Sequence, residues 1–347
     1  MFRCIPYVEA MQEEWDRIAF AHGTVYHSVS FRHILIRTFG YRCLYQAVVD
    51  EAGRVQALIP LVAGRNLSMK KAGVSLPFIN YLDICAASDE AREYAFAELP
   101  RLRETYGLDY IELRLKEQRI EETGWTADER NCTFVLQLSE DEETVLGRSS
   151  SSNRNHVRKV YKKDEFDVSF DSANLPAFYE VYVRRMKQLG SPAPDIRYFE
   201  AFFEWLPKHS HLLTVFDKAA QRVIGGMLLV TSPTDRTVYY PYGANLTEYN
   251  GKYLNNYMYW EAVRFGIRGG YDYLDLGRSP IGSGTYKYKE QWGAIPVPLR
   301  YMTYTGLARA HSAPDKESLQ LFIDLWKRTP SFITNPVGKR LIKYLLP

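Results

Sequence analysis

The chain reads as an α/β protein with mixed sheets, built from two similar halves, and three observations point there. LYQAVVDEAGRVQALIPLV (44–62) and LLTVFDKAAQRVIGGMLLV (212–230) share one pattern: an alternating apolar run, a polar turn at Asp50 or Asp217, Arg-Val, and a second apolar run. That is a β-hairpin signature, and its turn aspartates stand 167 residues apart. YGLDYIELR (106–114) and GGYDYLDLGR (269–278) echo each other at an offset of 163, in the same order relative to the hairpins. Ahead of each echo runs a helical stretch, EAREYAFAELPRLRETYG or LNNYMYWEAVRFGIRGG, closed by glycine as a left-handed C-cap.

Each half therefore reads as one or two N-terminal helices, an antiparallel hairpin, a further strand, a helix and a last strand. The further strand is assigned to LPFINYLDICA (76–86) in the first copy and TVYYPYGANL (237–246) in the second. Antiparallel strands leading into a β-α-β unit give a mixed sheet packed by helices, without the βαβ cadence of a doubly wound sheet. The boundary falls between Leu138 and Ser152, where acidic SEDEE gives way to GRSSSSN, so the segments are 1–145, 146–304 and 305–347. After Trp292 one more strand, VPLRYMTYT, precedes a C-terminal segment from about Pro314. There LQLFIDLWKRTP forms an amphipathic helix stopped by Pro330. The basic and apolar VGKRLIKYLLP either docks on the N-terminal half or makes a peripheral membrane contact.

A length of 347 residues suits two domains, and 46% hydrophobic with 24% charged residues is globular. A net charge of +3 makes no demand for a DNA partner. The 26 tyrosines suit either a ring-lined cleft or an aromatic core. Four scattered cysteines without a CxxC give neither a zinc site nor a disulfide framework, as in a reduced cytoplasmic protein. MFRCIPYVEAMQEEWDRIAF has no signal-peptide core, and no run reaches the eighteen or so apolar residues of a membrane span. The expectation is a cytoplasmic protein with no metal and no tightly bound cofactor.

Chemistry concentrates in GGYDYLDLGRSPIGSGTYKYKEQWGA (269–294). Read as a strand, YKYK puts Lys287 and Lys289 on one face and Tyr286 and Tyr288 on the other. A lysine there suits stabilisation of an oxyanion; the alternative is an edge strand whose lysines discourage aggregation. Asp275 and Arg278 sit where a buried strand meets a glycine loop. Asp275 can orient a lysine or take a proton from an amine, or the two form a structural pair, as the Glu112 and Arg114 echo suggests. RSSSSNRNHVRKVYKK carries six Lys and Arg and no acid, with Ser151, Ser152 or Asn153 as a helix cap and Arg154 and Arg158 on one face. It is either a phosphate-binding helix start or a solvated basic face. Tyr240, Tyr242, Asn256 and Tyr259 are cleft candidates that also read as packing, and His27 reads as structural.

SSNRNHVRKVYKK (151–163), FYEVYVRRMKQLGSP (178–192), YYPYGANL (239–246), YMYWEAVRFGIRGGYDYLDLGRS (257–279) and GTYKYKEQWGA (284–294), with LWKRTP and VGKRLIKYLLP, resemble the FemAB-like peptidyltransferase and acyltransferase family. The likeness is greatest to its subgroup associated with exopolysaccharide and PEP-CTERM/exosortase loci. The resemblance implies two tandem acetyltransferase-type (GNAT) domains and transfer of an acyl or aminoacyl group to a primary amine. The implied donor is aminoacyl-tRNA or acyl-CoA, so tRNA is a possible partner; the acceptor is a nucleotide- or lipid-linked peptidoglycan or exopolysaccharide precursor. It implies Lys289 beside the reacting carbonyl, donor pyrophosphate at Gly251, and binding roles for Arg154, Asn155, Arg158, Lys159 and, within FYEVYVRRMKQLGSP, Arg185. The chain departs from the family in lacking a long coiled-coil insertion. It also lacks the Arg/Gln-x-x-Gly-x-Gly/Ala signature, which counts against ordinary acetyl-CoA. The first copy has no counterpart of SPIGSGTYKYK, so a complete site is expected only in the second. Two alternatives remain: an acyl-CoA-dependent amino-sugar N-acyltransferase, and a catalytically idle scaffold in exopolysaccharide assembly.

Overall fold

The computed structural model describes residues 1–120, 123–139, 141–306 and 316–346. The first half runs β1 (Arg3–Pro6), α1 (Gln12–His22), α2 (Val29–Phe39), β2 (Arg42–Val49), β3 (Val55–Arg65), β4 (Lys71–Ser75), β5 (Cys85–Ala86), α3 (Asp89–Thr105), β6 (Tyr110–Leu115) and β7 (Trp125–Gln137). The second begins with α4 (Glu142–Gly147) and α5 (Ser151–Lys163). It then repeats the first: β8 (Phe166–Ser169), α6 (Leu175–Leu189), α7 (Ile196–Trp205), β9 (Ser210–Asp217), β10 (Arg222–Ser232), β11 (Thr237–Asn245), α8 (Leu254–Arg268) and β12 (Tyr273–Pro280). The chain continues with α9 (Gly284–Glu290), β13 (Ile295–Tyr304), α10 (Lys316–Arg328) and α11 (Ser331–Leu341).

The strands join one sheet in the order β1-β2-β3-β4-β6-β13-β7-β12-β11-β10-β9-β8, with β5 beside β3. The order reads as a near-palindrome because each half gives its last strand to the other. β7 pairs with β12, β13 pairs with β6, and the two pair with each other at the centre. A cut at 145/146 therefore divides the chain but not the sheet. Both hairpins form as their sequence predicts. The glycines after α3 and α8, Gly107 and Gly270, both take the left-handed conformation, with φ of 59° and 69°.

One apolar core spans the two halves. Phe31 on α2 meets Phe202 on α7 with ring centroids 5.9 Å apart, and each such ring contributes about 1.5–3 kcal/mol by burial. A second cluster lies under α3, against β2, β3 and β6. Among the described residues no helix is long and apolar enough to cross a membrane.

Three sequence expectations are corrected. LPFINYLDICA is not the counterpart of TVYYPYGANL: that place is taken by KAGVS of β4, and 76–84 follows as an irregular crossing segment. Leu76 and Phe78 there hold positive φ, a conformation outside the extended region, so the backbone leaves the strand despite the apolar pattern. YKYK is helical, in α9. Among the described residues the helices of the C-terminal segment, α10 and α11, lie against α6 of the second half, while its last residues reach the first: Tyr41 donates to the Lys343 carbonyl at 2.7 Å, and Leu346 lies against Gly64. Its expected start near Pro314 lies outside the described residues.

Candidate active site at the fork of the second half

β11 and β12 run parallel and pair from Thr237 and Tyr273 to Tyr239 and Asp275, and then separate. Both strands bulge where they part. Tyr240 and Pro241 share the place opposite Leu229, and Leu276 and Gly277 share the place opposite Phe134, between Asp275↔Val135 and Arg278↔Thr133. Gly277 has φ 78°, a left-handed conformation that strains any L side chain, and a Cβ there would lie a tight 3.3 Å from the Tyr240 carbonyl oxygen, so the position favours glycine.

The bulge organises the charged groups. Asp275 is 2% exposed, and its carboxylate accepts from Gly277 N–H at 2.6 Å, Thr133 Oγ1 at 2.7 Å and Tyr81 Oη at 2.6 Å. Lys289 is 7% exposed and donates Nζ–H to the carbonyls of Gly277 at 2.8 Å and Arg278 at 3.0 Å. Aspartate and lysine thus hold the two ends of one glycine. Burial pushes the Lys289 ammonium down to about 8, partly opposed by the negative charge of Asp275. The Tyr81 hydroxyl is held well above its ordinary range by burial and by that same carboxylate. Arg278 Nη1 reaches Tyr301 Oη at 3.4 Å, and Tyr301 donates to the Asn80 carbonyl at 2.7 Å.

A cavity of about 250 Å³ opens beside the fork, walled by Tyr239, Tyr240, Pro241 and Asp275 from the second half and by Tyr26, His27, Asn80, Tyr81 and Lys116 from the first. His27 is neutral there: burial pushes its imidazole down to about 4, Nδ1 accepts from Thr24 N–H at 2.9 Å, and Nε2 donates to the Asp83 carbonyl at 2.8 Å. Behind Tyr240 an aromatic stack ties α8 to α9. Tyr259 meets Tyr240 edge-on at 5.6 Å and Tyr288 at 5.3 Å, and lies flat on Trp292 at 5.6 Å.

A family profile described as an acetyltransferase (GNAT) domain matches residues 148–290, the stretch that builds this fork. The whole fold recurs in the crystal structure of FemX, with a TM-score of 0.64 at 14% identity over 86% of this chain and 97% of that one. It recurs in L-PGS from Bacillus licheniformis, at 0.55 and 12% identity over 87% and 97% of the two chains. A tandem GNAT protein from the clavulanic acid biosynthesis pathway superposes at 0.54 and 9% identity, over 89% of this chain and all (100%) of that one. The chain is a tandem GNAT-fold protein. No curated protein sequence matches it.

Within this tandem GNAT protein the predicted residues separate into three groups. Asp275, Arg278, Lys289, Tyr240 and Tyr259 come together at the fork. Lys289 lies behind the bulge, with Asp275 rather than Lys289 facing the cavity. Lys287 is exposed: on a helix, residues two apart project about 200° apart, so the pair does not share a face. Tyr242 is turned into the core, bonding Tyr198 Oη and the Phe78 carbonyl, both at 2.9 Å.

A second group meets where α5 packs on the start of α8. Ser150 caps α5, accepting from Asn153 N–H at 3.2 Å, in place of the expected Ser151, Ser152 or Asn153. Asn256 donates to Asn153 Oδ1 at 2.6 Å. Lys159 stands 5.3 Å from the Tyr253 ring, on which His156 stacks at 4.2 Å. Gly251 lies exposed just before α8, whose first turn has neither an acid nor a side-chain cap.

The third group serves other ends. Arg154 donates to the Ser149 carbonyl and to the Gly147 carbonyl at 3.1 Å, closing the α4–α5 turn. Arg158 faces Glu143 at 3.5 Å on the surface, Asn155 is exposed, and Arg185 reaches Gln188 at 3.4 Å. Tyr81 and Thr133 went unrecognised in the sequence. They lie 194 and 142 positions from Asp275, and no local pattern marks a partner across halves.

Proposed function

We propose that the β11–β12 fork transfers an acyl or aminoacyl group to a primary amine on a cell-envelope precursor, as the FemAB-like resemblance implies. The observation that carries the reading is the cavity at the fork of the GNAT-matching segment, with the Asp275 carboxylate in its wall and the Lys289 ammonium fixed across Gly277. Attack of an amine on the donor carbonyl forms the C–N bond, builds negative charge on the carbonyl oxygen and releases a proton from nitrogen. Collapse then breaks the thioester C–S bond of CoA or the ester C–O bond of tRNA, and the departing sulfur or ribose oxygen takes up a proton. Asp275 draws the acceptor amine into place and takes that proton. Lys289, with two of its three donors spent on carbonyls, places a positive charge and a remaining N–H beside the fork.

The donor carries phosphate in either form, as CoA or as tRNA. The start of α8, beside Lys159 and His156, suits it through backbone N–H groups and positive charge. The test offers charged tRNA and acyl-CoA donors against amine-bearing peptidoglycan and exopolysaccharide precursors, followed by mass spectrometry. A product heavier by the acyl or aminoacyl group is expected. Unmodified acceptor with every donor overturns the reading in favour of an idle scaffold. Product from acyl-CoA and a simple amino sugar alone replaces it with the amino-sugar reaction.

A further inference from the structure

The last two helices have one face in the protein and one face in solvent. α11 docks through Thr334 and Gly338, with Gly338 against Trp326 and Pro192. Outward it presents Phe332, 78% exposed, with Ile333 and Val337, and Leu325 of α10 is 67% exposed nearby in sequence. Exposed side chains of this size, adjacent along one short helix, are an unpartnered apolar strip rather than scattered surface residues. Between Leu325 and the C-terminus lie five cations, Lys327, Arg328, Lys339, Arg340 and Lys343, and no acid. The first four are exposed. Of the facing acids, Asp195 pairs with Lys339 at 3.0 Å, Asp324 accepts from Gln320 at 3.0 Å, and Glu180 shares a groove with Lys327. The face keeps a net positive charge.

We propose that α10 and α11 form a docking surface for an anionic lipid bilayer. An apolar strip bordered by cations lies in the plane of such a surface, its rings and aliphatic chains below the headgroups and its ammonium and guanidinium groups among the phosphates. Charge complementarity selects this occupant over a second copy of the chain, because an isologous pair would set the same cations against each other. No helix of the described residues spans the membrane, so the association is peripheral and reversible. It stands independently of the acyl-transfer reading, since it rests on none of the fork residues.

The test is co-sedimentation of the full chain with vesicles of phosphatidylcholine alone, and of phosphatidylcholine with roughly one third phosphatidylglycerol. Binding to the anionic vesicles is expected to be stronger by about tenfold or more and to weaken as salt is raised. The triple variant Phe332→Ser, Ile333→Ser, Val337→Ser, which touches only exposed positions, is expected to lose about tenfold while keeping its circular dichroism and unfolding midpoint. The variant Lys327→Gln, Arg328→Gln, Arg340→Gln is expected to abolish the preference for anionic lipid. Equal binding to both vesicles overturns the proposal. So does retained binding by a folded triple serine variant, or a dimer in light scattering that the serine variant converts to monomer.

Discussion

In the first half β4 and β6 run parallel and pair as far as Val74 and Glu112; in the second, β11 and β12 pair as far as Tyr239 and Asp275. Both forks thus begin at a buried acid, and the copies diverge two residues later, where Arg114 in one stands in the place of Gly277 in the other. Arg114 donates Nε–H to Glu112 at 2.9 Å and Nη1–H to the Ile79 carbonyl at 3.2 Å, and its own carbonyl accepts from Leu82 N–H at 2.7 Å. The first fork is closed by its own chain. In the second, the glycine bulges away, the acid is met by Tyr81 from the other half, and a cavity remains. The duplication has let one copy become a wall for the other: the segment that seals the first fork also lines the second.

The largest expected difference between the copies is in turnover. Lys289→Met should lower kcat/KM for acyl transfer by about 10²–10³, the loss that follows removal of one charge-stabilising donor. Arg114→Leu, once folded, should leave the rate within a few-fold of wild type. It should instead lower stability by about 3–5 kcal/mol in chemical denaturation, because it strands the buried Glu112 carboxylate. Equal losses of rate in the two variants would break the contrast.

The pH dependence of stability sharpens it. Lys289 titrates near 8 in the folded chain and near 10.4 when unfolded, so between those values the unfolded state binds the extra proton. Keeping the buried ammonium costs about 3 kcal/mol below pH 8, and that destabilisation is relieved as pH rises toward 10.4. Denaturation midpoints should therefore rise relative to Lys289→Met over this range, and a pH-independent difference between the two proteins would refute the assignment. The smallest effect is expected at the contact between halves. Tyr81→Phe removes one of three donors to Asp275 and should cost about 1–2 kcal/mol, read by the same denaturation series.

The repeat made much of this architecture legible. The hairpins carry their pattern twice, and the glycines ending α3 and α8 mark both helix-to-strand turns. Asp275, Lys289 and Arg278 were readable as a group because they fall within one glycine-rich stretch. The exchange of β7 and β13 was not, since a strand's pattern reports that it pairs and not with whom. The helix at YKYK was hidden for a different reason. Four residues alternating Tyr and Lys satisfy a strand period, and Ser283, which caps the helix by accepting from Tyr286 N–H at 3.2 Å, lies in what reads as a glycine loop. Within the basic run, Ser151–Lys163 is a helix as expected, yet Arg154 turns back onto its own turn, and Asn153, His156 and Lys159 are the residues that reach the start of α8.

The claim that chemistry belongs to the second fork is tested most directly by intact-mass measurement of acceptor product in single-turnover reactions, with wild type, Lys289→Met and Arg114→Leu side by side. Product is predicted with wild type and Arg114→Leu and only at trace level with Lys289→Met, provided all three show the same folded circular dichroism. Wild-type levels of product from folded Lys289→Met would contradict the account.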